Sequence, residues 1–430
     1  MNRALDAFAS PPVVAAGQAA SLQPVARLRP YPYPYRAMLA IASDLDETPD
    51  AASYFEVMRY LNGTAPTAFG PGLGLEVGNS IYFDMPAGQF SYWNAHEAER
   101  ERLRVLIRSG HIDCLHSFGD LATTRAHAAR ALEELDRHGC RLEVWVDHGT
   151  ARTNFGADIM QGEGDVPGAP AYHADLTSSF GIRYVWRGRV TSVIGQDIPR
   201  RLAGLWRFDH PFASTRTVAK EFAKGWLGRH GSPKYAMHAS NRLLREVRLR
   251  DGRPMREFLR ANPSWGGVSC HETAAGIAEV LTDRLLDTLI ARGGVCVLYT
   301  HLGKPPGAPA LAFGARTRQA FERLAERYRS GALLVATTQR VLRYHEMRAQ
   351  VRVRLSPSGV GSHGESWRLD LESPLPPAAH AGLTVYVPEP ARTRVFLNGQ
   401  PLAGLECYPA EDTGWPSLGL PWRRLAFPLP

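Results

Sequence analysis

The chain has 430 residues, 44% hydrophobic and 21% charged, and its nine Trp, fifteen Tyr and sixteen Phe supply too much buriable area for a disordered protein. Its length predicts one large domain with something smaller attached. The formal charge of +8 is almost wholly arginine, since only four lysines occur; with no basic run of five, it predicts a solvated arginine-rich surface and no nucleic-acid partner.

Residues 1–35 lack periodicity and end in Pro30-Tyr31-Pro32-Tyr33-Pro34-Tyr35, an extended lead-in expected to lie across the domain surface. Ala37–Ser43 is a short continuous apolar run, the pattern of a strand buried on both faces. Asn94–Ser109 reads as a helix, with Leu103, Leu106 and Ile107 on one side. A strand around His111–His116, a helix near Thr123–Arg137 and a strand at Leu142–Val146 follow. Ile182–Trp186 reads as another strand, while the rest of 157–270 reads mainly as loops, with a hairpin at Asp251-Gly252. From His271 a single helix is expected, carrying Ile277, Leu281, Leu285 and Leu289 and stopping at Gly293-Gly294. Strand Val295–Thr300, a helix through Phe321, Leu324 and Tyr328, strand Leu333–Ala336 and a last helix around Gln339–Met347 complete the alternation. Such βαβα order predicts a parallel sheet, open or closed into a barrel. From Val351 the period changes to two, and Asn398-Gly399 marks a hairpin, so 351–430 is expected to be a small antiparallel β module.

Cys114, Cys140, Cys270, Cys296 and Cys407 are scattered with no CxxC pair, so neither a disulfide framework nor a zinc knuckle is expected. They read as buried thiols in a reducing compartment. No segment approaches the ~18 apolar residues of a membrane span, and Val13–Ala20, broken by Gly17 and Gln18, is a poor signal-peptide core. A cytoplasmic location without a transmembrane segment is the expectation.

Three clusters of chemical side chains fall at the C-terminal ends of expected strands, where parallel α/β folds bind ligands. The first is Ser43-Asp44-Leu45-Asp46-Glu47: one Asp suits a metal and its neighbour a proton, although an Asp there also suits a helix cap. In His116-Ser117-Phe118-Gly119-Asp120, residues four apart share a face if the turn is helical, so His116 and Asp120 can grip one ion; Asp120 also suits a cap. The third is Tyr299-Thr300-His301, where an imidazole can serve as a general acid.

Asp-x-Asp after the first strand, His-Ser-x-x-Asp after the second unit and a late strand ending in His resemble the polysaccharide deacetylase (NodB-like, carbohydrate esterase 4) family over residues 36–348. The resemblance implies a distorted (β/α) barrel of about seven strands over 36–350. By position it makes Asp44 the catalytic base, His301 the catalytic acid, and Asp46 and His116 metal ligands. Asp120 stands where the family has its second metal His, which widens the expected ion from zinc to manganese, iron or cobalt. The family's Arg-x-Pro motif has no match; Asp147-His148 takes its place and, with Trp186 and Arg187, is expected to line the pocket. His271, His238 and Asp209-His210 are lesser candidates. The implied activity is metal-dependent removal of an acyl group, an N-acetyl above all, from a sugar of a polysaccharide or its precursor. Competing readings are a haloacid-dehalogenase-like phosphatase on Asp44-Leu45-Asp46-Glu47-Thr48, with Lys304 as its lysine, and a non-catalytic carbohydrate-binding protein on a degenerate barrel.

Overall fold

The structure, a computed structural model, describes residues 26–45, 48–263, 272–304, 313–361 and 364–428. Its central sheet is built from β1 (Ala37–Asp44), β2 (Gly78–Ile81), β3 (Ile112–His116), β4 (Val144–Val146), β5 (Tyr184–Trp186), β6 (Leu244–Arg248), β7 (Pro254–Phe258), β8 (Val295–Thr300) and β9 (Leu333–Val335). Eight of these run in the order β6-β7-β5-β4-β3-β2-β1-β8, every neighbouring pair parallel except β6 with β7. The ninth, β9, pairs with residues 37–39 of β1, while β2 pairs with residues 42–44. The sheet curls into a half-barrel of eight strands, and among the described residues its end strands β6 and β8 do not pair with each other, so of the two alternatives the sequence left, open or closed, the described sheet is the open one.

Helices α1 (Ala51–Asn62), α2 (Glu97–Arg108), α3 (Arg125–Arg137), α4 (Ala174–Phe180), α5 (Pro211–Arg229), α6 (Ala236–Ser240), α7 (Ala274–Val280), α8 (Asp283–Arg292), α9 (Ala315–Arg329) and α10 (Thr338–Gln350) connect the strands. All eight residues of β1 are buried, as a strand covered on both faces requires. Its alternate side chains divide two cores. Leu39 and Ile41 pack outward with Leu285, Leu289, Phe321 and Leu324 of α8 and α9. Met38 and Ala40 face inward with Val144, Val146, Tyr184 and Trp186, and that inner core continues into Val341, Leu342 and Met347 of α10.

Several expectations need correction. The single helix from His271 is two helices, because the Thr282 side chain accepts the Leu285 N–H and starts α8 afresh; His271 itself lies outside the described residues. The stretch 157–270 holds α5, the longest helix described. The terminal module contains a parallel pair, Trp367–Leu371 with Thr393–Leu397, and its second sheet takes in Arg27–Leu28 of the lead-in, paired with Val385 and Tyr386. Buried Arg29 locks that lead-in by donating to the carbonyls of Tyr31, Pro32, Pro34 and Tyr35 and to Glu411. Cys114, Cys140 and Cys296 are buried free thiols as expected, but Cys407 is exposed. Both hairpins form where the Asp-Gly and Asn-Gly pairs stand, with Gly252 at φ +87° and Asn398 and Gly399 at +50° and +80°.

Candidate active site

The inner row of β1 ends in Asp44, which is buried and engaged at both oxygens. Ser80 Oγ donates to Oδ1, and His116 Nε2 stands 3.0 Å from Oδ2. Burial alone pushes this carboxyl up; the adjacent His116 overrides it, with help from Arg260 and His301, and holds Asp44 well below the usual carboxylate range. Asp44 is therefore an anion at neutral pH.

His116, at the end of β3, stacks on Tyr82 with ring centroids 4.3 Å apart and meets the His148 ring edge-on at 4.9 Å. Tyr82 Oη is 3.0 Å from His148 Nδ1, and His148 Nε2 is 3.2 Å from Asp120 Oδ1. A polar line thus runs from Ser80 through Asp44, His116 and Tyr82 to His148 and Asp120. The helical turn expected between His116 and Asp120 is absent. Ser117, Phe118 and Gly119 all have positive φ (43°, 63° and 108°), because the loop presses on Asp84: a Cβ on Gly119 would stand 2.4 Å from the Asp84 carbonyl oxygen. Asp120 consequently reaches the line through His148, not by sharing a helical face with His116.

Asp147 does not line the site. It is buried, accepts from Trp145 Nε1 at 2.7 Å and Phe155 N at 2.9 Å, and burial pushes its pKa up to about 7. Its work is to hold the loop that carries His148. On the far side, His301 ends the β8 edge with Nδ1 3.2 Å from the Glu272 carbonyl and Nε2 3.5 Å from Tyr299 Oη. Trp186 is only 1% exposed and offers no free face to a sugar, which corrects that expectation. Its Nε1 donates to the Arg189 carbonyl, and the Arg260 guanidinium covers its ring at 4.1 Å. Arg187 is turned to Glu257, with Nε 3.0 Å from Oε1. His238 is buried against the Val190 carbonyl, and burial pushes it down to about 3, while Asp209 and His210 form an exposed pair.

Three residues escaped the sequence reading. Ser80 lies in a strand, Gly78-Asn79-Ser80-Ile81, with no apolar run to announce it, and Tyr82 is the residue just after that strand. Arg260 is 1% exposed, lies between the faces of Trp186 and Tyr299 (4.1 and 4.8 Å), and among the described residues none of its three guanidinium nitrogens has a hydrogen-bond partner. It borders a cavity of about 10 Å³, enough for one water, together with Val190, Asn262 and Leu298. The available signal was an arginine inside the apolar run Phe258-Leu259-Arg260-Ala261.

The imidazoles of His116 and His148 and the carboxylate of Asp120 are donors of the mixed kind that suits a divalent first-row ion. Among the described residues no three His, Cys, Asp or Glu side chains converge as a ligand set; Asp46, expected to supply one ligand, lies outside those residues. Compared with models of known families, with curated proteins and with solved structures, the chain matches none.

Proposed function

We propose that the chain is a metal-assisted hydrolase that removes an acyl group, an acetyl on nitrogen or oxygen, from a sugar. The observation that supports this reading best is Asp44: a buried carboxylate held between the Ser80 hydroxyl and the His116 imidazole at the C-terminal end of a central parallel strand. Asp46, His116 and Asp120, with His148 beside them, would hold the divalent ion, whose chemistry is to acidify water and polarise the acyl carbonyl. Asp44 takes the proton from the attacking water, and Ser80 and His116 fix the carboxylate in place for that transfer. His301 gives a proton from Nε2 to the departing nitrogen or oxygen. Arg260 contributes positive potential, which keeps Asp44 ionised in its buried setting.

The phosphatase reading has less support, since Lys304 bonds Glu272 Oε1 at 3.0 Å instead of serving Asp44. The decisive experiment compares wild type with Asp44→Asn, each supplied with zinc, manganese, iron or cobalt and an N-acetylated sugar oligomer. Acetate release should fall by roughly 10²–10⁴-fold in the variant while metal content is kept, the range for removing a general base. An unchanged rate in the variant would overturn the assignment of Asp44, and sugar binding without acetate release from wild type would favour the non-catalytic reading.

A further inference from the structure

Helix α5 turns its faces the wrong way round for a globular protein. The side chains it buries are Ser214, Thr217 and Glu221, with Gly225 completing a small and polar stripe. Glu221 anchors that stripe, accepting from Thr191 Oγ1 at 3.0 Å, Ser192 N at 3.1 Å and Lys224 Nζ at 2.9 Å. The outward face is aromatic. Phe212 is 86% exposed, Phe222 60% and Trp226 51%, and Phe208 and Trp206 in the approach are 91% and 37% exposed. Among the described residues, six of the eight exposed large hydrophobic side chains fall between 206 and 227. Large apolar side chains gathered in one exposed patch mark a surface that something covers.

The charge around this patch says what. Residues 206–234 hold six basic side chains (Arg207, Arg216, Lys220, Lys224, Arg229 and Lys234) against Asp209 and Glu221, a balance of +4 with neutral His. Glu221 and Lys224 pair with each other on the inner face, so the outer surface carries Arg207, Arg216, Lys220, Arg229 and Lys234 against Asp209, still +4. Three of the protein's four lysines are concentrated in this stretch. Projecting Phe and Trp among Lys and Arg are the pattern of a helix that lies in a bilayer interface, rings among the acyl chains and cations at the headgroups. A second copy of the chain is disfavoured, because a two-fold contact would set one +4 surface against another. Among the described residues no helix is long and apolar enough to cross a membrane, so the contact is peripheral.

We propose that α5 and its approach from Trp206 dock the protein on an anionic lipid surface. The patch is separate from Asp44 and the histidines, and its test is independent of the chemistry proposed for them. The full chain should float with vesicles of phosphatidylcholine and phosphatidylglycerol (3:1) and at least roughly tenfold less with pure phosphatidylcholine. Raising NaCl to about 0.5 M should weaken binding by screening. The double variant Phe222→Ser/Trp226→Ser changes only exposed side chains, and circular dichroism will show whether it folds; it should lose binding at least roughly tenfold. Trp415→Ser, at an exposed ring outside the patch (43%), should bind as wild type does. Absence of flotation by wild type, or equal flotation by a folded double variant, overturns the proposal. So does a lipid-free dimer in sedimentation equilibrium that the double variant abolishes, since that would make a second copy the occupant.

Discussion

Arg260→Met separates what the buried guanidinium does for stability from what it does for Asp44. Taking a guanidinium out of water carries a penalty of several kcal/mol, and with no hydrogen-bond partner on any nitrogen among the described residues, Arg260 recovers little of it by bonding. Two ring faces, Trp186 at 4.1 Å and Tyr299 at 4.8 Å, return about 2 kcal/mol each when desolvated, and attraction to Asp44 adds to that. The two sides nearly cancel. Methionine keeps most of the volume and places a thioether against the same rings, a contact of about 0.3–1.5 kcal/mol. Arg260→Met should therefore be neutral or more stable, by about 1–3 kcal/mol, in urea unfolding followed by fluorescence. Arg260→Ala, which leaves a hole between two aromatic faces, should lose about 3 kcal/mol. Without the cation, the Asp44 carboxyl should titrate higher than in wild type, a direction that its pH titration in the two proteins checks. A loss of more than about 2 kcal/mol in Arg260→Met would show that the guanidinium is paired well enough to stabilise, and would refute the reasoning.

Other consequences can be checked on the same material. Glu221→Ala takes the carboxylate from Lys224, whose side chain is only 14% exposed and keeps only the Val190 carbonyl among the acceptors described, and leaves Ser192 N–H without its Glu221 acceptor; it should cost about 3 kcal/mol, and a loss under 1 kcal/mol in urea unfolding would contradict the anchor role. Asp147, pushed up to about 7 against about 3.9 in the unfolded chain, binds a proton more tightly when folded. The stability it adds is full below pH ~4 and is lost as pH rises through about 7. Asp147→Asn keeps an acceptor for Trp145 and Phe155, so its Tm should gain on wild type from pH 5 to pH 8; a gap that stays constant with pH would count against this. Gly119→Ala forces a Cβ to 2.4 Å from the Asp84 carbonyl at φ +108°, whereas Gly88→Ala, at φ +88°, meets nothing within 4 Å. Thermal unfolding should show the first to be clearly more damaging, by at least about 1–3 kcal/mol, and acetate release should fall with it as Asp120 shifts away from His148.

What the sequence announces and what it hides follow from the same physics. Strands β1 and β8 are mostly apolar runs and identify themselves, while β3 is broken by Asp113 but buried throughout; Asp44 and His116, at the ends of β1 and β3, meet in the structure. Strand β2 is equally buried but is spelled Gly78-Asn79-Ser80-Ile81. Its residues are chosen for close approach and hydrogen bonding, with Ser80 donating to Asp44, and no hydrophobic scale registers that. Tyr82, one residue beyond, was invisible for the same reason. Helix α5 escaped because periodicity methods look for an apolar stripe facing inward, and its inner stripe is Ser214, Thr217, Glu221 and Gly225. The helix that reads worst by pattern is the one whose outer face has a surface to meet.

Each irregularity of the sheet has a buried polar side chain at it. At one edge of β1, β9 occupies residues 37–39 and β2 occupies 42–44, and the junction is organised by Asp113 at a bulge in β3. Its Oδ2 accepts the Gln339 N–H at the start of α10, and its Oδ1 lies 2.5 Å from where a Cβ on Gly78 would be, so only glycine fits there. At the other edge, among the described residues β8 meets no full strand; Gln196 bridges Val295, and Arg260 and Ala261 pair with Val190 and Thr191 in a short sheet of their own. A closed barrel would fill this seam with interdigitated aliphatic layers, which have no room for a guanidinium between two rings. Leaving the seam open gives Arg260 its slot beside Trp186 and Tyr299 and lets its charge reach Asp44 through a dry interior, where it acts more strongly than it would through water. The same open seam that departs from a regular barrel thus gives Arg260 the place from which it adds to the effect of His116 on the central carboxylate.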